Sequence, residues 1–291
     1  MKNVLVVGST GHIGKNLINY LQSRQWNVTY TSRRLENDNA VYLDLSCIDN
    51  FDFSFLRTVD YVIFAAANLN AEDCDKNEKE VRKVNVSGTI RFISEALGQN
   101  KKVIYLSSDI VYGFDEHKIF DESSVPAPTS NYGRMKLEVE KYFENNKDFK
   151  SIRPSYVFSM EDKFVQYCKK CEETGAEVEI YHPYYRKFIP LFELCECIYQ
   201  LIKRWEECDF HILNVCGNEL ISKIRIVDEI NRIYKKNIYY KVIKPGAAYY
   251  KIRPAFLNIT SLYLYKNGIL QKKDFSQAME EEKELRSTII W

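Results

Sequence analysis

Tyr132 and Lys136 stand four residues apart in Asn131-Tyr132-Gly133-Arg134-Met135-Lys136. On a helix that spacing puts both side chains on one face. A free phenol titrates near about 10, too high for easy proton exchange at neutral pH. A neighbouring ammonium favours the phenolate and brings that value down, so the pair is suited to delivering a proton. Ser108 follows the apolar run Lys102-Val103-Ile104-Tyr105-Leu106, which reads as a buried strand. A hydroxyl at the carboxyl end of such a strand can hydrogen-bond the oxygen that Tyr132 would protonate. In a chain with 21 Tyr the spacing alone arises by chance. Its weight comes from what stands at the start of the chain.

There Asn3-Val4-Leu5-Val6-Val7 reads as a strand and runs directly into Gly8-Ser9-Thr10-Gly11-His12-Ile13-Gly14. Leu17, Ile18 and Leu21 then recur at helical spacing. A strand, a glycine turn and a helix in that order form a phosphate cradle. Gly8 turns off the strand, Gly11 admits a diphosphate, and Gly14 lets the helix pack closely. The free N–H groups and positive dipole end of the helix face the phosphates. Thr10, His12 and Ile13 supply the rest of the turn. A second strand over Asn27 to Thr31 ends in Ser32-Arg33-Arg34. An acid there would accept from the adenine ribose of NAD, whereas two arginines neutralise a 2′-phosphate, so the expected cofactor is NADP(H). Asp44, with Leu45 behind it, either accepts from an adenine amino group or caps the segment from Asp49 to Leu56. Ala65-Ala66-Ala67 gives a small-residue floor for the cofactor after a strand over Val59 to Phe64. Lys136 can also reach the cofactor ribose, which sets a proton donor beside a hydride carrier.

Further elements must hold these groups. A third strand covers Ala40 to Leu43, and a long helix is expected over Lys76 to Leu97, carrying Asn85. Phe114 to Pro128 reads as an acidic, proline-containing loop, with Thr129 or Ser130 capping the helix of Tyr132. A strand over Phe149 to Arg153 is stopped by Pro154. Amphipathic helices are expected over Ile221 to Tyr234 and Ser276 to Leu285. The alternation of strand and helix loosens after residue 154, where the role of the chain changes.

Composition narrows the partners. The chain has 291 residues, is 45% hydrophobic, and carries 16 Phe, ample for a core. A net charge of +1 points to neither nucleic acid nor a membrane surface. No apolar run is long enough to span a bilayer, and the start is a strand rather than a signal peptide. A cytoplasmic location is therefore expected, with the 8 Cys reduced. Cys168-Lys169-Lys170-Cys171 has no second pair, and Cys195 and Cys197 fall in an apolar helical run, so no metal site is expected.

Taken together, these residues resemble the extended short-chain dehydrogenase/reductase family, which includes nucleotide-sugar epimerases, dehydratases and 4-ketoreductases. Gly8, Gly11 and Gly14 match its G-x-x-G-x-x-G spacing. Ser108, Tyr132 and Lys136 match its catalytic Ser/Thr and Tyr-x-x-x-Lys. Asn85 falls at its helix Asn. Arg153-Pro154-Ser155-Tyr156-Val157-Phe158 resembles the R-P-x-x-V-Y segment beside the nicotinamide, which implies cofactor contacts for Pro154, Ser155 and Val157 and a substrate contact for Phe158. Arg186 to Pro190 resembles R-D-F-I-H, with Lys187 and Pro190 in place of Asp and His. Arg253-Pro254 resembles the arginine near the sugar-nucleotide diphosphate. The resemblance implies an α/β fold, a Rossmann-type doubly wound parallel sheet with a smaller C-terminal α/β substrate-binding lobe. The NADP-binding domain would span 1–155 with 187–215 returning to it. The lobe would comprise 156–186 and 216–291.

Within that lobe Tyr181, Tyr184, Tyr185 and Arg186 cluster, as do Tyr249, Tyr250, Lys251 and Arg253. Aromatic rings stack on a base, and arginine suits a diphosphate. The expected partner is a nucleotide-sugar substrate, and a homodimer is compatible with the family. The resemblance implies NADPH-dependent reduction of a sugar C4 ketone in surface-polysaccharide sugar biosynthesis. The alternatives are an epimerase, a 4,6-dehydratase or a non-catalytic NADP(H) sensor. In the family's 4,6-dehydratases the segment reads T-D-E-V-Y-G. Here it reads Ser108-Asp109-Ile110-Val111-Tyr112-Gly113, which keeps Asp109 for the substrate but lacks the Glu.

Overall fold

The computed structural model describes residues 2–34, 40–69, 71–250 and 253–288. Its centre is a seven-stranded parallel sheet. In chain order the strands are β1 (Asn3–Val7), β2 (Asn27–Ser32), β3 (Ala40–Tyr42), β4 (Tyr61–Phe64), β5 (Lys102–Leu106), β6 (Phe149–Pro154) and β7 (Ile212–Val215). Their order across the sheet is β7-β6-β5-β4-β1-β2-β3. The fold is therefore the expected α/β, Rossmann-type doubly wound sheet. The order reverses between β1 and β4, and a ligand binds outside the carboxyl ends of the strands at such a switch point.

Both faces of the sheet are covered, which is why β1 and β4 read as apolar runs rather than alternating ones. On one face lie α1 (His12–Ser23) and, much later in the chain, Leu191–Lys203, which packs Leu194, Ile198 and Leu201 against Leu17 and Leu21. On the other lie Thr89–Gly98 and the residues around Phe53 and Leu56. Each Leu buried this way contributes about 1.5–3 kcal/mol. A separate core joins Lys163–Thr174, Lys223–Tyr234 and Phe275–Thr288 around Phe158, Val165, Ile226 and Met279. Small strand pairs tie it down: Val157–Phe158 beside Ile189–Pro190, Tyr185–Arg186 against Ile221–Ser222, and Val178–Tyr181 beside Tyr240–Ile243.

Several expectations need correction. The long helix over Lys76 to Leu97 is three pieces: Glu78–Arg82, a π-helical Lys83–Gly88 and Thr89–Gly98, preceded by Ala71–Lys76. Periodicity alone does not register a one-residue widening. Two contacts accompany it: the Thr89 hydroxyl donates to the Val84 carbonyl at 2.8 Å, and Gly88 lies so close to the Leu45 carbonyl, far away in sequence, that a Cβ would sit 2.1 Å from it. The segment from Asp49 to Leu56 is not a helix capped by Asp44. Asp44 instead caps the short turn Leu45–Cys47, accepting from the Ser46 N–H and hydroxyl. The loop from Phe114 to Pro128 contains Ile119–Phe120, which pairs with Asn258–Ile259. The two-residue pairing is too short to leave an alternating pattern.

Candidate active site

The helix α2 (Asn131–Tyr142) begins where Ser130 accepts a hydrogen bond from the Gly133 N–H. This cap fixes the phase of the helix, so Tyr132 and Lys136 both face the carboxyl end of β5. The Lys136 ammonium donates to the Leu106 carbonyl at 2.7 Å. It lies 4.6 Å from the Tyr105 ring centroid and 5.7 Å from that of Tyr132. Burial depresses its pKa to about 7, against the pull of Glu140 one helical turn further on. Burial also raises the Tyr132 pKa, helped by Cys74 and Asp109. That differs from the expectation that the ammonium lowers it: in this pocket desolvation dominates, and the buried lysine's own charge is weakened.

Ser108 sits two residues past Leu106, donating to Asp109 Oδ1 at 3.2 Å and accepting from the Ile110 N–H at 3.4 Å. Asp109 is buried, and Ser155 donates to its Oδ2 at 3.0 Å. Burial lifts the carboxyl pKa, while Arg186, Ser155 and Ser108 oppose the rise. The carboxyl ends of β5 and β6 thus bring together Ser108, Asp109, Tyr132, Lys136 and Ser155, with Arg186 within electrostatic reach.

The helix is itself braced. Glu140 accepts from Arg153 Nε at 3.0 Å and Nη2 at 2.5 Å, and from the Ser151 hydroxyl at 2.9 Å. Arg153 also donates to the Tyr112 hydroxyl at 2.9 Å, which donates in turn to Asn214 at 2.9 Å. Sequence reasoning missed this network. The one available signal was Glu140 lying one turn beyond Lys136, which by itself does not identify a partner on β6.

The glycine turn has distinct duties at each position. Gly8 adopts φ +100, and a Cβ there would lie 2.8 Å from Ala66 backbone atoms. A Cβ on Gly14 would lie 2.1 Å from the Gly8 carbonyl, so the helix closes directly on the turn. At Gly11 the only neighbour would be that carbonyl, at 3.4 Å, leaving the outer side of the turn open. Gly11 starts α1 with no side-chain cap, so the first N–H groups are available to an anion. Thr10 is exposed and Ile13 half-buried. His12 Nε2 lies 2.8 Å from the Ser159 hydroxyl, bridging the turn to the segment after β6. Arg33 and Arg34 are exposed beyond buried Ser32, and Arg33 acts electrostatically on Asp44. Leu45 is buried in the core, and its carbonyl packs against Gly88.

The floor Ala65 to Ala67 is partly exposed. Asn85 is buried, accepts from the Asn68 N–H at 2.7 Å and donates to the Asn68 carbonyl at 2.9 Å. It therefore secures the loop that forms the floor. This open turn, unsatisfied helix start and pair of terminal arginines fit a phosphorylated dinucleotide.

The candidate substrate residues divide. Pro154 is buried and Val157 half-buried. Phe158 has 0% exposure and its ring meets Phe275 at 5.7 Å, so it belongs to the separate core around Val165 and Met279 and has no surface for a substrate. Arg186 is buried, donates to the Pro254 carbonyl at 2.8 Å, and lies 4.2 Å from the Tyr184 ring centroid. Arg253 is exposed and lies 5.4 Å from the Tyr249 ring centroid. Tyr249 meets Tyr181 edge-on at 5.0 Å. The two tyrosine loops therefore converge, on a cavity of 410 Å³ that also presents Tyr156, Tyr184 and Lys223. Lys223 was missed, since one lysine in a charged helix carries no distinguishing signal. Lys251 lies outside the described residues.

A doubly wound sheet with a glycine turn at one strand end and Ser, Tyr and Lys at another defines the extended short-chain dehydrogenase/reductase class. Within that class the chain belongs to the RmlD substrate binding domain family, which matches residues 1–256. It is 26% identical over 149 residues to methionine adenosyltransferase 2 subunit beta of Bos taurus, a match covering 50% of this chain and 44% of that protein. The chain thus spans less than half the length of the first curated relatives it matches. It is 26% identical over 287 residues to human dTDP-D-glucose 4,6-dehydratase, covering 87% of this chain and 80% of that one. Among solved structures it resembles dTDP-4-dehydrorhamnose reductase from Bacillus anthracis in complex with NADP, with a TM-score of 0.81 at 19% identity, covering 98% and 99% of the two chains. Among the described residues no helix is long and apolar enough to cross a membrane.

Proposed function

We propose that this protein is an NADPH-dependent reductase of the C4 ketone of a nucleotide-linked deoxysugar, working in surface-polysaccharide sugar biosynthesis. The observation that carries the reading is the Lys136 ammonium held between the Tyr132 ring and the Leu106 carbonyl, two residues before Ser108. Bound NADPH would supply the hydride to the carbonyl carbon. Ser108 hydrogen-bonds the carbonyl oxygen and polarises it. Tyr132, kept protonated by burial, gives its proton to the same oxygen as negative charge develops there. Lys136 steadies the phenolate left behind and hydrogen-bonds the ribose. Gly8, Thr10, Gly11, His12, Ile13 and Gly14 would hold the diphosphate, and Arg33 and Arg34 the 2′-phosphate. Arg186 and Arg253 would meet the sugar nucleotide, with Asp109 near the sugar. The solved reductase bound to NADP supports the cofactor choice.

A second reading is a cofactor-binding subunit without turnover, favoured by the match to a protein named as a subunit. Retention of Ser108, Tyr132 and Lys136 in one place weighs for catalysis, because a sensor has no use for a proton donor. The test is NADPH oxidation by the purified protein on addition of dTDP-linked 4-keto-6-deoxy sugars. No consumption with any such sugar, alongside tight NADPH binding, would favour the subunit. Stoichiometric retained NAD with interconversion of C4 epimers would favour an epimerase instead.

A further inference from the structure

A second cleft opens at the opposite end of the sheet, where β1, β4 and β5 begin. It is open to solvent and has a volume of 710 Å³, within the range of about 300–1,000 Å³ usual for small-molecule sites. Lys2, Lys101, Lys102 and Lys203 line it together with Trp26 and Tyr199. The Trp26 and Tyr199 rings stand 4.8 Å apart at 35° and are both half-buried, so they offer an aromatic wall. Cations are set on these surfaces: the Lys203 ammonium lies 5.3 Å from the Tyr199 centroid, and Lys2 lies 5.1 Å from that of Tyr61.

Its charge is net positive. Lys102 pairs with Glu206, and the one carboxylate among the lining residues, Asp60, accepts from the Asn3 N–H and side-chain amide and leaves the lysines in excess. Among the described residues no carboxylate lies within ion-pairing distance of Lys2, Lys101 or Lys203. Three ammonium groups around one concave space in a chain of net charge +1 create a local field that attracts a polyanion. The nearby rings accept a flat heteroaromatic group. The cofactor cradle cannot account for the cleft: Lys2 precedes β1 and Gly8 follows it, so five strand residues, roughly 17 Å, separate them.

We propose that this cleft is a second binding site for a nucleoside polyphosphate, with the base against Trp26 and Tyr199 and the phosphates on Lys2, Lys101 and Lys203. The test is calorimetric titration of ATP into the full-length protein with and without saturating NADPH, which occupies any adenine site at the glycine turn. One saturable ATP site that persists under excess NADPH is expected. The double variant Lys2→Ala/Lys203→Ala, both at exposed side chains, should weaken ATP by about tenfold or more while leaving NADPH affinity unchanged. Trp26→Ala should bring ATP affinity down towards that of inorganic tripolyphosphate. Complete displacement of ATP by NADPH would overturn the assignment, as would unchanged affinity in the double variant. Tripolyphosphate binding the unaltered protein as tightly as ATP would overturn the nucleoside.

Discussion

The ammonium of Lys136 donates to the carbonyl of Leu106, 30 residues earlier in the chain, and so pins α2 to the last residue of β5. That bond puts the cation between the rings of Tyr105 and Tyr132 and beside the turn that carries Ser108. Being buried, the lysine also ties stability to pH. Its pKa is depressed from the free value to about 7 in the folded protein, so between about 7 and 10.5 the unfolded chain binds more protons than the folded one. Stability from this group therefore rises with pH across that window and is flat below it. Lys136→Met should remove the dependence. Comparing urea midpoints at pH 7 and 9, we expect unaltered protein to gain of order 2 kcal/mol relative to the variant. Equal shifts in both proteins would show that Lys136 stays charged when buried.

Tyr132→Phe should lower turnover by about 10²- to 10⁴-fold while NADPH affinity changes little, because in the proposed mechanism the hydroxyl delivers a proton and contributes little to holding the cofactor. Steady-state rates paired with NADPH titration test this. Near-normal turnover in the variant would remove Tyr132 from the mechanism.

Arg33→Ala/Arg34→Ala should weaken NADPH by at least about tenfold and leave NADH nearly unchanged, since both side chains stand exposed at the end of β2 and one would meet only the 2′-phosphate. Competitive titration of the two cofactors reads the ratio. An unaltered preference would place the discrimination elsewhere.

Breaking the brace behind α2 should lower the stability of the fold. Glu140→Ala leaves the guanidinium of Arg153 buried without its counter-charge, at a cost of about 3–5 kcal/mol in unfolding free energy. Urea denaturation measures it. A loss below 1 kcal/mol, in round terms about the worth of an exposed pair, would mean that water reaches the site.

The parts legible in the sequence are those set by local rules. The apolar runs of β1, β4 and β5 lie at the centre of the sheet, and Gly8 and Gly14 have no room for a Cβ. Ser130 caps α2 as its type suggests. What was not legible depends on neighbours remote in sequence. The π-helical turn at Asn85 is set by Leu45 and Asn68. Phe158 reads like its motif, yet its side chain turns into a core completed by Phe275, more than a hundred residues later. The Tyr132 pKa follows from burial that no spacing reveals.

A 4,6-dehydration needs an acid to protonate the leaving hydroxyl and a base to remove the proton beside the ketone. Asp109 is suited to the first task, since burial raises its pKa despite the opposing hydrogen bonds from the Ser155 and Ser108 hydroxyls. The next residue is Ile110, which carries no ionisable group, and its backbone N–H is engaged with Ser108. A base is thus missing at the position that follows the acid. The chain is 26% identical to a human 4,6-dehydratase along most of its length, so the question turns on this one position rather than on overall likeness. Incubation with dTDP-glucose and NAD, followed by mass spectrometry, should show no product lighter by one water. Formation of that product at a turnover typical of enzymes would mean that another group serves as the base, and would replace reduction with dehydration as the reaction of this site.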